Sequence, residues 1–270
     1  MKVYGNYPEP TLSRGLAKLL VDSLDAKGEV WLISPWLKDV RLAIAQLGDF
    51  ASLLGGQREE IELSQLLTRI AEQHRLRVIT KPPGELIPFR ALKRLAYKID
   101  LRKRLLEERE EQEDLQGYDI LEEVIEEFNT EIEQLASAAT VHAETIRIGR
   151  MLKAKGAELY YLDKLHAKLL CTPLGALIGS ANFTNGGLSY NDELMLEITD
   201  QTELAKLRTV AQQMVNRAIL AQKYNLNNTL EREEYPLKDY LALTDSQELQ
   251  NFPHLQHFLK QVNTELAAKD

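Results

Sequence analysis

An α/β fold, a mixed β-sheet flanked by helices, is predicted by three observations. Short apolar runs, each too brief for a helix, recur at 29–36, 76–80, 159–162, 169–171 and 176–178. A helical segment at 65–74 separates the first two, the spacing of a βαβ unit with parallel strands. A dense polar set then accompanies the last three runs: His166, Lys168, Gly179, Ser180, Asn182, Thr184 and Glu193.

The elements follow in order. Thr11 or Ser13 is placed to cap a helix through LAKLLVDSLDA that stops at Gly28. Glu29–Trp36 is the first core strand, ended by Pro35 and bringing Ser34 and Trp36 to its exit. As residues these two read as a strand-end cap and a half-buried aromatic. Residues 39–57 are ambiguous, broken by Gly48 and Gly55-Gly56. Ser64 is placed to cap the helix at 65–74, and Leu76–Thr80 is the second strand, with Lys81 at its end either a solvated lysine, the safer reading, or a phosphate contact.

Pro82-Pro83-Gly84 closes that unit, and a helical hairpin is expected as an insertion at about 85–140. Arg90, Arg94, Lys98 and Arg102 recur every four residues and form a basic stripe opposite Leu92, Leu95 and Ile99. The stripe is either a phosphate-backbone track, a solvated face, or the partner of the acidic helix that follows. Gly117 is expected to turn the chain into an amphipathic helix bearing Leu121, Val124, Ile125, Phe128, Ile132 and Leu135. After 136–140 a separate helix runs to Gly156. The last strand is expected at 193–199, then a helix at 201–222, a polar stretch, and a helix at 255–267. The boundaries are set at 1–200 for the α/β domain and 201–270 for a helical C-terminal extension.

The polar set has a chemistry. His166 and Lys168 are two apart, so on a strand they share a face. A neutral imidazole is a nucleophile or base near neutral pH, and an ammonium beside it suits a phosphate oxygen. Ser180 and Asn182 alternate at the next strand end and can hydrogen-bond a tetrahedral anion. Glu193 could hold a histidine ring nitrogen and fix its tautomer. None of this requires a metal or a cofactor, and one cysteine with five scattered histidines offers no zinc spacing. Singly, each residue reads as ordinary: a core histidine, a snorkelling lysine, a strand-to-turn exit.

Jointly and in this order, His-x-Lys, Gly-Ser-x-Asn and Glu resemble the phospholipase D superfamily of phosphodiesterases. The likeness is strongest over about 40 residues and fades back toward Trp31; it implies that the exit of that first strand lies near the active cleft, where Ser34 and Trp36 would line the site, a second reading for the two beside the strand-end cap and half-buried aromatic. It implies His166, Lys168, Ser180, Asn182 and Glu193 as catalytic residues, and a covalent phosphohistidine route. It departs at Pro173, where the family usually has an Asp five residues after the Lys. That route needs two histidines. His142 reads His-Ala-Glu with no Gly-Ser-x-Asn after it, so the chain holds one motif. The resemblance therefore implies a homodimer in which two copies of His166, Lys168 and Asn182 meet across a two-fold axis.

Net charge is −8, yet residues 101–135 hold 13 acidic and 4 basic side chains, so the rest of the chain is +1. Acidity belongs to the insertion and does not exclude a nucleic-acid partner. No apolar run reaches the roughly 18 residues of a membrane span. MKVYGNYPEP lacks a signal-peptide core, so a cytoplasmic location and no membrane partner are expected. The resemblance then points to a metal-independent endonuclease acting on DNA or RNA. The alternatives are a hydrolase of phospholipids or small phosphodiesters, and a catalytically weak scaffold in a nucleic-acid-processing or phage-defence complex. The insertion is a candidate surface for protein partners.

Overall fold

The computed structural model describes residues 2–7, 11–44, 60–86, 89–111, 115–224, 247–253, 255–257 and 259–260. The breakers Gly48 and Gly55-Gly56 and the last part of the helix expected at 255–267 lie outside them. Two compact units are present: Met1–Pro82 with Arg147–Tyr224, and Pro83–Ile146 with Asn225–Asp270.

The first unit carries an eight-stranded mixed sheet. Its strands are β1 (Lys2–Gly5), β2 (Glu29–Ile33), β5 (Arg75–Thr80), β6 (Glu158–Tyr161), β7 (Leu169–Cys171), β8 (Ala176–Gly179), β9 (Leu194–Ile198) and β10 (Ile219–Leu220), in the spatial order β1-β9-β8-β7-β2-β5-β6-β10. A separate two-stranded ribbon joins β3 (Arg41–Ala43) to β4 (Glu60–Glu62). Strands β2, β5 and β6 are parallel, as the βαβ spacing predicts; the remaining pairs are antiparallel.

Both faces of the central strands are covered, which is why they read as continuous apolar runs rather than alternating ones. On one face Val30, Leu32, Val78, Leu159, Leu170 and Leu177 share a core with Leu16 and Leu20 of α1 (Leu12–Asp22) and Leu66 and Ile70 of α2 (Leu63–Gln73). Ile148 and Leu152, near the end of α5 (Leu115–Ala154), complete it. On the other face Trp31, Ile33, Ile79, Leu169 and Cys171 meet Leu204 and Ala211 of α6 (Gln201–Arg217). Each such fully buried leucine or isoleucine contributes about 1.5–3 kcal/mol.

Several local expectations change. Thr11 stands at the N-cap of α1, but its hydroxyl turns back to Gly5, donating to Gly5 O at 2.9 Å. Ser64 lies inside α2, and its N–H is capped from a distance by Asp39 Oδ1 at 3.0 Å. Strand β1 was not foreseen, because Lys2–Gly5 gains its order only by pairing with β9. The helix at 201–222 ends at Arg217, and β10 follows. Since α6 packs Leu204 and Ala211 on the sheet, it belongs with the first unit rather than with an extension beginning at 201.

The second unit contains α3 (Pro83–Leu86), α4 (Phe89–Glu111) and the larger part of α5. Helices α4 and α5 form the expected hairpin, antiparallel by their contacts. Lys98 pairs with Glu131, Arg102 donates to Asn129, and Arg109 pairs with Glu122. The break expected at 136–140 does not occur, and His142 falls within the same continuous helix. The reason is compositional: Ala136-Ser137-Ala138-Ala139-Thr140 has neither Gly nor Pro, and alanine is the best helix former. Gly117 sits in the first turn of α5 rather than in a connecting turn.

Candidate active site

The register of the sheet brings one end of six strands together. Ile33 at the end of β2 pairs with Leu169 at the start of β7 and with Ile79 near the end of β5. Leu169 pairs with Ile178, Gly179 with Met195, and Leu194 with Gly5. The exits of β1, β2, β5 and β8 and the entries of β7 and β9 therefore share one rim. Ligand sites in sheets with parallel strands favour their carboxyl ends. Lys81, His166, Lys168, Ser180, Asn182 and Glu193 all lie on this rim, within or one to three residues beyond its strands.

His166 and Lys168 precede β7 rather than lying within it. Their expected proximity is present: Lys168 Nζ lies 3.1 Å from His166 Nδ1 and donates to His166 O at 2.8 Å. His166 is exposed, while Lys168 is only 5% exposed. Burial pushes the Lys168 ammonium below the usual lysine range; Glu193 pulls it back up, and Lys81 pushes it further down. A cation held out of water and disfavoured in its charged form gains most from an incoming anion. Glu193 is thus felt at Lys168, but the ring contact of His166 within the chain is to Lys168, not to Glu193.

The Gly-Ser-x-Asn segment is shaped by close backbone approach. A Cβ on Gly179 would lie 2.0 Å from Leu194 O, so this position has room only for glycine. The approach lets Ser180 N–H donate to Leu194 O (3.0 Å), while Ser180 Oγ accepts from Leu194 N–H (3.1 Å). Ser180 thereby bolts the exit of β8 to the entry of β9, beside Glu193. Ala181 and Phe183 are fully buried, and Phe183 O accepts from Lys38 N–H at 2.9 Å. Between these anchors Asn182 carries a buried amide oxygen without a hydrogen-bond partner. A single π-helical turn, Gly186–Tyr190, follows. Gly187 fits against Asn182, where a Cβ would come within 2.3 Å of Asn182 O. Asn6 Nδ2 ties this turn to β1, donating to Gly187 O and Asn191 O at 3.0 and 2.9 Å.

Pro173, five residues after Lys168, lies in the β7–β8 turn at the other end of β7 from His166. Thr172 holds that turn. Its Oγ1 accepts from Leu174 and Gly175 N–H groups, each at 3.2 Å, and its N–H donates to Gly175 O at 2.8 Å. Arg208 of α6 donates to Thr172 O at 3.0 Å. The proline ring packs on Gly28, whose φ of +152° is open to glycine alone.

Ser34 is fully buried and donates to Trp36 O at 2.7 Å, the strand-end cap of the two readings open for it. Trp36 is half-buried and lies under Lys81, whose Nζ stands 5.6 Å from the ring centroid. Arg90, Arg94, Lys98 and Arg102 lie on α4, in the second unit. The Arg90 side chain is outside the described residues. Arg94 is exposed; Lys98 and Arg102 have the hairpin partners given above.

A cleft of about 460 Å³ adjoins the rim, lined by Gly5, Asn6, Tyr7, Ser180, Asp192, Glu193 and Leu194. Asn6, Tyr7 and Asp192 were not singled out from sequence. The first two owe their place to β1, which no local pattern announces. Among the described residues no group of three or more His, Cys, Asp or Glu side chains could hold a metal, and no helix is long and apolar enough to cross a membrane.

The sequence family described as "Cardiolipin synthase, PLD-like domain" matches residues 66–215. No curated protein matches the chain in sequence. Among solved structures, NucT from Helicobacter pylori is similar, at 11% identity over 81% of this chain and 97% of that one, with a TM-score of 0.42. Nuc from Salmonella typhimurium, a phospholipase D family member, is similar at 11% identity over 81% and 95%, with a TM-score of 0.42. A polyphosphate kinase from Porphyromonas gingivalis gives 11% identity over 86% of this chain but 30% of its own, with a TM-score of 0.42.

Proposed function

The chain belongs to the PLD-like domain family of the phospholipase D superfamily, and on that premise we propose that it is a metal-independent phosphodiesterase, an endonuclease acting through a phosphohistidine in a homodimeric site. The observation that carries this reading is the pairing of an exposed His166 with a buried Lys168 at 3.1 Å on the convergent strand rim.

The steps follow from the groups present. A phosphodiester entering the rim draws the Lys168 ammonium from His166 Nδ1 to a non-bridging oxygen, where charge assistance is strongest. The ring proton, on Nε2 while Nδ1 accepts from Lys168, passes by exchange with water to the freed Nδ1, which leaves Nε2 as the nucleophile. Nε2 attacks phosphorus; the P–N bond forms as the P–O bond to the leaving group breaks. The leaving oxygen takes a proton from the imidazolium of the partner's His166. That imidazole, now neutral, takes a proton from water as the water oxygen attacks phosphorus and the P–N bond breaks. Asn182 is assigned to the phosphate oxygens through its Nδ2 donor. Ser180 positions the β8–β9 junction, and Glu193 orients a histidine ring.

The test is cleavage of labelled single- and double-stranded DNA and RNA in EDTA, beside His166→Ala. Cutting that survives EDTA and disappears in the variant, with an acid-quenched phosphoprotein labile as phosphohistidine, is the expected result. Absence of cleavage of all four substrates by a folded dimer, with turnover of a phospholipid, would replace the nuclease reading with a lipid one.

A further inference from the structure

Two lysines flank the same strand end. Lys168 stands one residue before Leu169 on β7; Lys81 stands one residue after Thr80 on β5; β2 lies between these strands. Two strand spacings separate them, roughly 9–10 Å between backbones. Lys81 is held in place from two sides. Thr80, buried and 1% exposed, donates from Oγ1 to Pro35 O at 3.1 Å, and Leu162 N–H donates to Thr80 O at 3.0 Å. The ammonium then stands over the Trp36 ring, on the loop that leaves β2. An ammonium on an aromatic face keeps its charge partly desolvated and directed. Lys168 senses it electrostatically, and senses Glu193 with the opposite sign. The rim therefore runs from anionic at the β9 entry, through the His166–Lys168 pair, to cationic and aromatic at the β5 exit.

A lone phosphodiester needs only the centre of this rim. We propose that Lys81 on Trp36 forms a subsite for the phosphate next to the one held by Lys168, with Trp36 offering its exposed surface to the intervening base, so that the site takes a single-stranded nucleic acid with consecutive phosphodiesters. The proposal rests on the phosphodiesterase reading above and adds to it the substrate class and the direction of the strand across the site, with Glu193 on the opposite flank from the neighbouring phosphate. A stacking aromatic beside a backbone cation is the recurrent way of holding single strands without reading sequence.

The experiment uses the full chain in the His166→Ala background, so that binding is measured without turnover. One probe is a fluorescent single-stranded oligonucleotide; the other is a dinucleoside monophosphate, with one phosphodiester, as competitor. Lys81→Met is expected to weaken the oligonucleotide about tenfold and to lower the slope of log K against log salt by about 0.7. It should leave competition by the dinucleoside monophosphate within about twofold, whereas Lys168→Met weakens both ligands. Lys81→Arg, which keeps a cation over the ring, should restore oligonucleotide binding, and this rescue separates a lost contact from a misfolded variant. Unchanged oligonucleotide binding in Lys81→Met, or an equal loss on both ligands, overturns the subsite. If the His166→Ala protein binds neither ligand but does bind vesicles of anionic phospholipid, the nuclease reading itself falls and the subsite with it.

Discussion

Lys168 is the residue on which the proposed chemistry depends most directly. Its charged form is disfavoured by burial, so it loses its proton below the ordinary value of 10.5. The alkaline limb of the pH–rate profile is expected to begin below pH 10.5; a limb at or above it would contradict the burial. The sign for stability runs the other way from an ion-paired lysine. The folded state carries a penalty while Lys168 is protonated, and that penalty fades as pH rises toward 10.5. Lys168→Met should therefore lower kcat by about 10²–10³-fold without lowering Tm near neutral pH. A kcat within a few-fold of wild type would remove Lys168 from the machinery. Gly179 makes a second demand at this scale. Its added Cβ would meet Leu194 O at 2.0 Å, so Gly179→Ala should destabilise by about 3 kcal/mol, read by denaturant unfolding. The His-x-Lys pair was legible because two residues in extended chain share a face. The burial of one and exposure of the other were not, since both depend on what the neighbouring strands cover.

The β7–β8 hairpin raises the question of Pro173. The turn is organised by Thr172, which is fully buried and hydrogen-bonded to Leu174 and Gly175, with Arg208 on its carbonyl. Five residues separate Pro173 from Lys168, about 16 Å of extended chain. Pro173→Asp is thus expected to leave the rate of any active wild-type protein within about threefold. Thr172→Val should cost about 1–3 kcal/mol by leaving the buried Gly175 N–H unpaired. A large rate gain from Pro173→Asp with no change in stability would mean that the absent carboxylate serves the chemistry. The strands that bear the motif were placed to within a residue or two from their length and punctuation. The same reasoning failed for the long helix α5, where a separate helix was expected after 136–140. Alanine-rich backbone needs no apolar stripe to remain helical. It also failed for β1 and for the ribbon of β3 and β4, three- and four-residue strands whose order comes wholly from their partners.

At the scale of the whole molecule, the proposed two-histidine route makes the number of active sites a property of the assembly, since the chain has one His-x-Lys motif. If each site needs two copies of His166, a dimer of wild type and His166→Ala is inactive. Wild-type protein re-equilibrated with excess variant should then lose activity as the square of the wild-type fraction. A linear loss would mean that each chain works alone. The acidic insertion bears on this scale as well. Its basic side chains Lys98, Arg102 and Arg109 are engaged by Glu131, Asn129 and Glu122. Their regular spacing in sequence matches the repeat of an antiparallel helix pair, the pairing with the acidic helix left open by sequence. Arg94 remains exposed on α4.

By itself the sequence determined the α/β class, the parallel βαβ unit, the helical hairpin and the family, because these depend on local periodicity and on a short run of motif residues. Tertiary structure alone decided the register that brings six strand ends to one rim. It also decided that α6 packs on the sheet, that Glu193 and Lys168 lie on one rim, and that Lys81 stands on Trp36. The physical reason is that these relations join residues distant along the chain. Their energies come from burial, backbone approach and charge in a shared low-dielectric space, none of which a local pattern records.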